Sequence, residues 1–265
     1  MATILIPIPG RDFDPTEVAV PWKTWRDGGH DVVFATPDGA KGAADPRMVT
    51  GEGLGVLAPV LRADARGREA YRDLLDCAPF NRPLAYRDIE SAQVDALFLP
   101  GGHAPGMKPY LESPAVQAKV AALFAANRPV GAICHGVLVA ARSRAGSGRS
   151  VLHGKKTTAL TRRMELTAWW LTRAWLGDYY RTYPETVEDE VRAALAQPGD
   201  FVQGPVGARR DDPAHPEWGF TVRDGMYLSA RWPGDAHRFA ADFVSILREA
   251  GTAPARGAPL PAAPG

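Results

Sequence analysis

The sequence predicts an α/β fold, with a mainly parallel sheet and helices packed on both of its faces. Three observations carry this reading. Short apolar, β-branched runs alternate with segments of helical character, the order that parallel strands joined by crossover helices require. Two of the runs end in turns rich in glycine and small residues, at Pro100-Gly101-Gly102 and at Cys134-His135-Gly136, and ligands of such sheets sit beyond the carboxyl ends of the strands. No internal repeat and no shift of composition divides the chain, so one domain is expected over residues 1–250.

Thr3 to Ile8 is apolar and β-branched, as a buried strand should be. Asp14-Pro15-Thr16-Glu17 starts a helix, with Asp14 as cap, Pro15 in the first turn and Glu17 able to reach back to the cap. That helix is expected to end near Gly28-Gly29. Asp31 to Ala35 is the next strand, Asp38 to Leu61 a Gly- and Pro-rich loop, Asp64 to Leu75 a helix and Val94 to Leu99 a buried strand. Ser113-Pro114 starts a helix that continues through Ala115 to Ala126. Pro129 to Ile133 is a strand with Cys134 at its end, and His135 to Arg144 is helical. Gly146-Ser147-Gly148 interrupts the chain before helices at Leu160 to Trp175 and Glu185 to Ala196. Gly219 to Val222 and Met226 to Ala230 form a hairpin around Asp224-Gly225. Pro233 to Arg248 is a last amphipathic helix, with Asp235 as its expected cap.

Lys+Arg total 31 and Asp+Glu 30 among 265 residues, so the formal net charge is +1 and no global surface for nucleic acid is indicated. No apolar run approaches the roughly 20 residues that cross a bilayer, and Met1 to Gly10 lacks a cationic start and is broken by Pro7 and Pro9, so no secretory signal is expected. Cys77 and Cys134 are too few for a disulfide scaffold or a cysteine-rich zinc site. The expected setting is the cytoplasm, with no membrane partner. No Walker loop or dinucleotide fingerprint occurs, and no metal-ligand spacing involves His215, Asp235 and His237, so neither an organic cofactor nor a metal is expected. Residues 251–265 are Ala, Pro and Gly with almost no large apolar group, and are expected to be mobile.

The most informative stretch is Gly131-Ala132-Ile133-Cys134-His135-Gly136. A strand runs straight into Cys134, a helix follows at once, and small residues two before and two after allow a tight turn. This is a nucleophile elbow, which lifts a side chain above the sheet edge. The start of the helix is expected to favour thiolate over thiol and lower the cysteine pKa. The N–H of His135 is placed to hold an oxyanion. The alternative is a small, buried, inert cysteine. Cys77, beside Asp76, Ala78 and Pro79, has no such setting. Leu99-Pro100-Gly101-Gly102-His103 ends another strand, and Gly102 is a candidate second oxyanion donor, with Gly101 and His103 beside it.

These stretches, with Asp27-Gly28-Gly29-His30-Asp31-Val32-Val33-Phe34-Ala35-Thr36-Pro37, resemble the DJ-1/PfpI superfamily, relatives of class I glutamine amidotransferase domains. The resemblance is best over residues 3 to 160 and nearest to the Hsp31-like branch, because His135 directly follows Cys134. It implies a flavodoxin-like sandwich, often a homodimer. It implies Cys134 as nucleophile, Glu17 as the acidic residue sharing a proton with it, and Gly102 and the His135 amide as oxyanion donors. In place of the acidic, polar helix start of many relatives stands Thr158-Ala159-Leu160-Thr161-Arg162-Arg163-Met164-Glu165. Glu165 is the nearest acid to orient His135, against a reading as a solvated helix carboxylate. Glu17 likewise competes with its role in the capping box.

Trp169, Trp170, Trp175, Tyr179, Tyr180 and Tyr183 crowd a helical insertion, about residues 161–200, read as a cap over the pocket or part of a dimer interface, with Arg173 or Arg181 as a possible carboxylate anchor. The expected activity is cysteine-dependent chemistry on a small carbonyl compound, a glyoxalase-like conversion of a 2-oxoaldehyde to a 2-hydroxy acid. The alternatives are amide or ester hydrolysis by the same residues, and a non-enzymatic redox sensor or holdase chaperone.

Overall fold

The structure, a computed structural model, describes residues 1–207 and 209–251. Beyond Gly251 the expected mobile tail lies outside the described residues.

Among the described residues nine strands occur: β1 Thr3–Pro7, β2 Arg11–Phe13, β3 Asp31–Thr36, β4 Ala43–Ala44, β5 Leu84–Ala85, β6 Ala96–Leu99, β7 Val130–Ile133, β8 Thr221–Asp224 and β9 Tyr227–Ala230. Seven form one sheet in the order β5-β3-β1-β6-β7-β9-β8, while β2 and β4 pair separately. Every pairing in the large sheet is parallel except the hairpin β8–β9, where Asp224 faces Tyr227. The parallel pairs are the expected consequence of alternating strands and crossover helices.

The helices are α1 Pro15–Asp27, α2 Pro46–Thr50, α3 Ala58–Leu61, α4 Ala65–Leu75, α5 Ala78–Asn81, α6 Lys108–Leu111, α7 Pro114–Ala125, α8 Gly136–Arg142, α9 Arg162–Leu176, α10 Val187–Ala194 and α11 Ala236–Glu249. One group packs α1 against α4 and α11; another packs α8 against α7 and α10. Between them the central strands β6 and β7 are buried at every residue, which is why they read as unbroken apolar runs rather than alternating ones. Trp25 shows how the α1–α11 layer is locked. Its ring packs against Phe98 and Phe243 with centroids 5.1 Å away, and its indole N–H donates to the Ala240 carbonyl at 3.0 Å.

Two expectations need correction. The segment Asp38 to Leu61 is not all loop: Asp45 accepts the Arg47 N–H at 2.9 Å and so caps the short helix α2, and α3 follows it. Asp235 does not cap α11. Its carboxylate is taken by Arg231 and by the Phe220 N–H, and Asp211 accepts the His237 and Arg238 N–H groups instead. A buried arginine holds Asp235 more firmly than a helix start can, and a cap from a distant loop takes its place. Among the described residues no helix is long and apolar enough to cross a membrane.

Candidate active site

β7 delivers Cys134 to the carboxyl edge of the sheet and α8 begins two residues later. Cys134 takes φ 56°, a left-handed conformation that costs a residue with a side chain about 1–3 kcal/mol. Surrounding contacts impose it. The Cys134 N–H donates to the Ala230 carbonyl at 3.1 Å, tying the elbow to β9. A Cβ on Gly136 would lie 2.1 Å from the Leu99 carbonyl oxygen, and one on Gly101 would lie 2.7 Å from Glu17 Oε2 and 2.9 Å from the Cys134 Cβ. Glycine at both places lets the turns after β6 and β7 touch.

Glu17 stands in the first turn of α1, fully buried. The capping box predicted for this helix forms by only one half. Asp14 accepts the N–H groups of Thr16 at 2.8 Å and Glu17 at 3.0 Å, but the Glu17 carboxylate does not return to the Asp14 N–H. That N–H goes to the Gly101 carbonyl at 3.0 Å, and the Gly101 N–H goes to Glu17 Oε2 at 2.7 Å. Gly101, placed in sequence among the oxyanion residues, thus donates to Glu17. Oε1 of Glu17 is sealed from solvent and has no hydrogen-bond partner among the described residues, and the Cys134 side chain lies within interaction range of the carboxyl. Gly102 adopts φ 148°, with the Asp12 carbonyl oxygen 2.8 Å from where a Cβ would be.

The electrostatics depart from the expectation of an acidified thiol. Burial raises Cys134 well above the usual thiol range, and the Glu17 charge adds to this. The His135 N–H pulls the other way, but α8 has only seven residues and Cys134 is only 5 % exposed. Burial also lifts Glu17 well above the usual carboxyl range, and Asp14 adds to it. Two adjacent groups that resist ionising side by side behave as one unit that shares a proton.

His135 is buried, with Nδ1 3.5 Å from Cys134 Sγ and Nε2 3.1 Å from Thr182 Oγ1. The Thr182 hydroxyl donates to the His103 carbonyl at 2.5 Å. It therefore accepts from Nε2–H of His135, which leaves the Nδ1 lone pair facing the thiol. Burial, with His103 and Arg142 adding to it, pushes His135 down to about 3, so the ring is neutral near pH 7. His103 is also pushed down to about 3 by burial, and its ring stacks on Tyr180 at 4.2 Å.

Glu165 does not orient His135. It is buried, but Oε2 accepts the Val187 N–H at 2.9 Å at the start of α10, and Oε1 pairs with Arg181 at 3.4 Å. Thr182, which sequence reasoning missed, occupies the place expected for it. Nothing local marks Thr182 among its aromatic neighbours; only the fold of the insertion brings it to the histidine. The insertion meets the site through Tyr179, Tyr180 and Thr182, whereas Trp170 and Trp175 are exposed and Arg173 covers the Trp169 and Trp170 rings. Among the described residues no group of three or more His, Cys, Asp or Glu could hold a metal ion.

A family model described as ThiJ/PfpI family-like matches residues 8–205. A deglycase of Pyrococcus abyssi is 24% identical over 238 residues, covering 89% of this chain and 94% of the relative. A glutathione-independent glyoxalase of Schizosaccharomyces pombe is 24% identical over 233 residues, covering 87% and 85%. The crystal structure of glyoxalase III from Candida albicans superposes with a TM-score of 0.66 at 18% identity, covering 92% of this chain and 96% of that one.

Proposed function

On the premise that this chain belongs to the ThiJ/PfpI-like family, we propose that it is a glyoxalase that needs no added cofactor, converting a 2-oxoaldehyde to a 2-hydroxy acid through Cys134. The names of its relatives support this choice of chemistry. The single observation that carries it is the setting of the sulfur: Cys134 Sγ lies 3.5 Å from the lone-pair nitrogen of His135 and beside the sealed carboxyl of Glu17. A thiol facing a nitrogen lone pair able to take its proton can become a nucleophile at the moment of attack, without a standing thiolate.

His135 Nδ1 takes the thiol proton as the sulfur attacks the aldehyde carbon. The carbonyl π bond breaks, and the N–H groups of Gly102 and His135 hold the resulting oxygen, which regains the proton from His135 to give a hemithioacetal. Glu17 removes the proton from that carbon to give an enediolate and returns it to the neighbouring carbon, while the hydroxyl proton of the first carbon passes to the oxygen of the second. The first carbon is oxidised to a thioester and the second reduced to an alcohol, so no external redox partner is used. Water cleaves the thioester and restores the thiol. Tyr180 and Thr182 lie against His103 and His135 at this edge of the sheet.

The test is turnover of methylglyoxal to lactate by the purified protein and by Cys134→Ala, with simple amides and esters assayed in parallel. Lactate formation that disappears in the variant is the expected result. Turnover that survives in the variant, or hydrolysis of amides alone, overturns the proposal.

A further inference from the structure

Among the described residues, four buried polar atoms have no hydrogen-bond partner and lie on side chains that follow one another in space: Nε2 of His103, the hydroxyl of Tyr180, Nη1 of Arg210 and Nε1 of Trp232. They come from four separate parts of the chain. Contacts join them in a row. The His103 ring stacks on Tyr180 at 4.2 Å, Arg210 lies within electrostatic reach of Tyr180, and the Arg210 guanidinium carbon sits 5.1 Å from the Trp232 ring centre. Trp232 is two residues beyond Ala230, whose carbonyl holds the Cys134 N–H.

Unpaired buried polar atoms are uncommon, because each forfeits its hydration without compensation. Here they are built in. Tyr180 is only 7% exposed. Arg210 is anchored by its other terminal nitrogen, which donates to the Arg62 carbonyl at 3.2 Å. Arginine and tryptophan side chains are donors only, so whatever satisfies them must present acceptors. Asp14 and Asp45 also lie within reach of Tyr180, and Asp14 within reach of Arg210; Oδ1 of Asp14 accepts from Thr16 and Glu17, and the two oxygens of Asp45 accept from Arg47 and Tyr179. Those two charges favour a singly charged guest over a doubly charged one.

We infer that Tyr180, Arg210 and Trp232 bind a carboxylate at the non-reacting end of the substrate, so that the preferred substrates are 2-oxoaldehydes carrying an acid group. This rests on the glyoxalase reading and narrows its substrate class. A carboxylate fits the guanidinium fork and accepts from the phenol and the indole together. The chemistry at Cys134 is unaltered: the aldehyde carbon becomes the new acid, the ketone carbon the alcohol, and one water is consumed.

The experiment compares kcat/KM for γ,δ-dioxovalerate, which would give 2-hydroxyglutarate, with that for methylglyoxal. The wild-type protein is expected to favour the acid-bearing substrate by about tenfold to a hundredfold, the yield of one or two charge-assisted hydrogen bonds. That ratio is expected to collapse about tenfold or more in Arg210→Met, and in the gentler Tyr180→Phe and Trp232→Phe, which delete only a donor. Calorimetric binding of glutarate to the same four proteins reads the pocket independently of turnover. Methylglyoxal turnover without preference for the acid, or with a ratio the variants leave unchanged, overturns the carboxylate pocket and leaves the glyoxalase reading standing. If neither aldehyde is turned over, the glyoxalase reading falls, and glutarate then decides: binding weakened in the variants supports the pocket, and no binding overturns it.

Discussion

Thr182 holds His135 in one tautomer. Its single hydroxyl proton is committed to the His103 carbonyl, so it meets His135 Nε2 as an acceptor, 3.1 Å away. The ring then carries its proton on the far side from Cys134. Thr182→Val keeps the shape and deletes the acceptor. We expect kcat for methylglyoxal to fall about tenfold to a hundredfold with little change in KM, and Thr182→Ser to restore most of it. Steady-state kinetics of the two variants check this; an equal loss in Ser and Val would mean that the methyl group matters and the hydroxyl does not.

Glu17 is assigned proton transfer rather than creation of the nucleophile. Glu17→Gln still presents an oxygen to the Gly101 N–H but carries no exchangeable acid proton. Turnover is expected to drop by about a hundredfold or more, while iodoacetamide continues to alkylate Cys134. Intact-mass measurement beside the rate assay separates the two effects.

The contact between Gly136 and Leu99 leaves no room for a methyl group, since its carbon would sit 2.1 Å from a backbone oxygen. Gly136→Ala is expected to lose about 3 kcal/mol or more of stability, read from the urea midpoint, because neither strand end can retreat without disturbing the sheet. Gly101→Ala presses on the Glu17 carboxylate and the Cys134 side chain and is expected to reduce turnover as well as stability.

Asp211 supplies a pH signature away from the sulfur. Burial raises it from an ordinary 3.8 to about 7, Asp235 and Asp212 adding to the rise. The folded protein therefore holds this proton more tightly than the unfolded chain does. The resulting stabilisation is complete below about pH 4 and is lost as pH climbs to about 7. Asp211→Asn removes that dependence. Its stability relative to wild type is expected to improve by about 3–4 kcal/mol between pH 4 and pH 7.5, superimposed on a constant cost for the weakened cap of α11. Thermal denaturation across that range measures it, and a difference that stays flat with pH would refute the assignment.

Much of this architecture could be read along the chain. The runs at β1, β6 and β7 are continuous and apolar because both faces of the sheet are covered, and burial on two sides leaves an unambiguous mark. The starts of α1 and α7 carried their own Asp-Pro and Ser-Pro signals. The two-residue edge strand at Leu84–Ala85 and the short helices after Asp45 did not, since elements of that length are held by their neighbours and show no period of their own.

The sequence by itself determined that a cysteine would stand at a strand-to-helix turn, because the small residues around Cys134 permit little else, and it placed Glu17 in the first turn of its helix. Only the tertiary structure decided what those groups do to one another. Whether Glu17 closes a capping box or faces a sulfur depends on Gly101, which takes both partners of the box from a strand end far along the chain. Whether the thiol is acidified or held protonated depends on burial against the field of one short helix. The orientation of His135 falls to Thr182 instead of Glu165 because the insertion folds back over the sheet edge. Hydrogen bonding and desolvation act through space over a few ångströms, and residues distant in sequence set them.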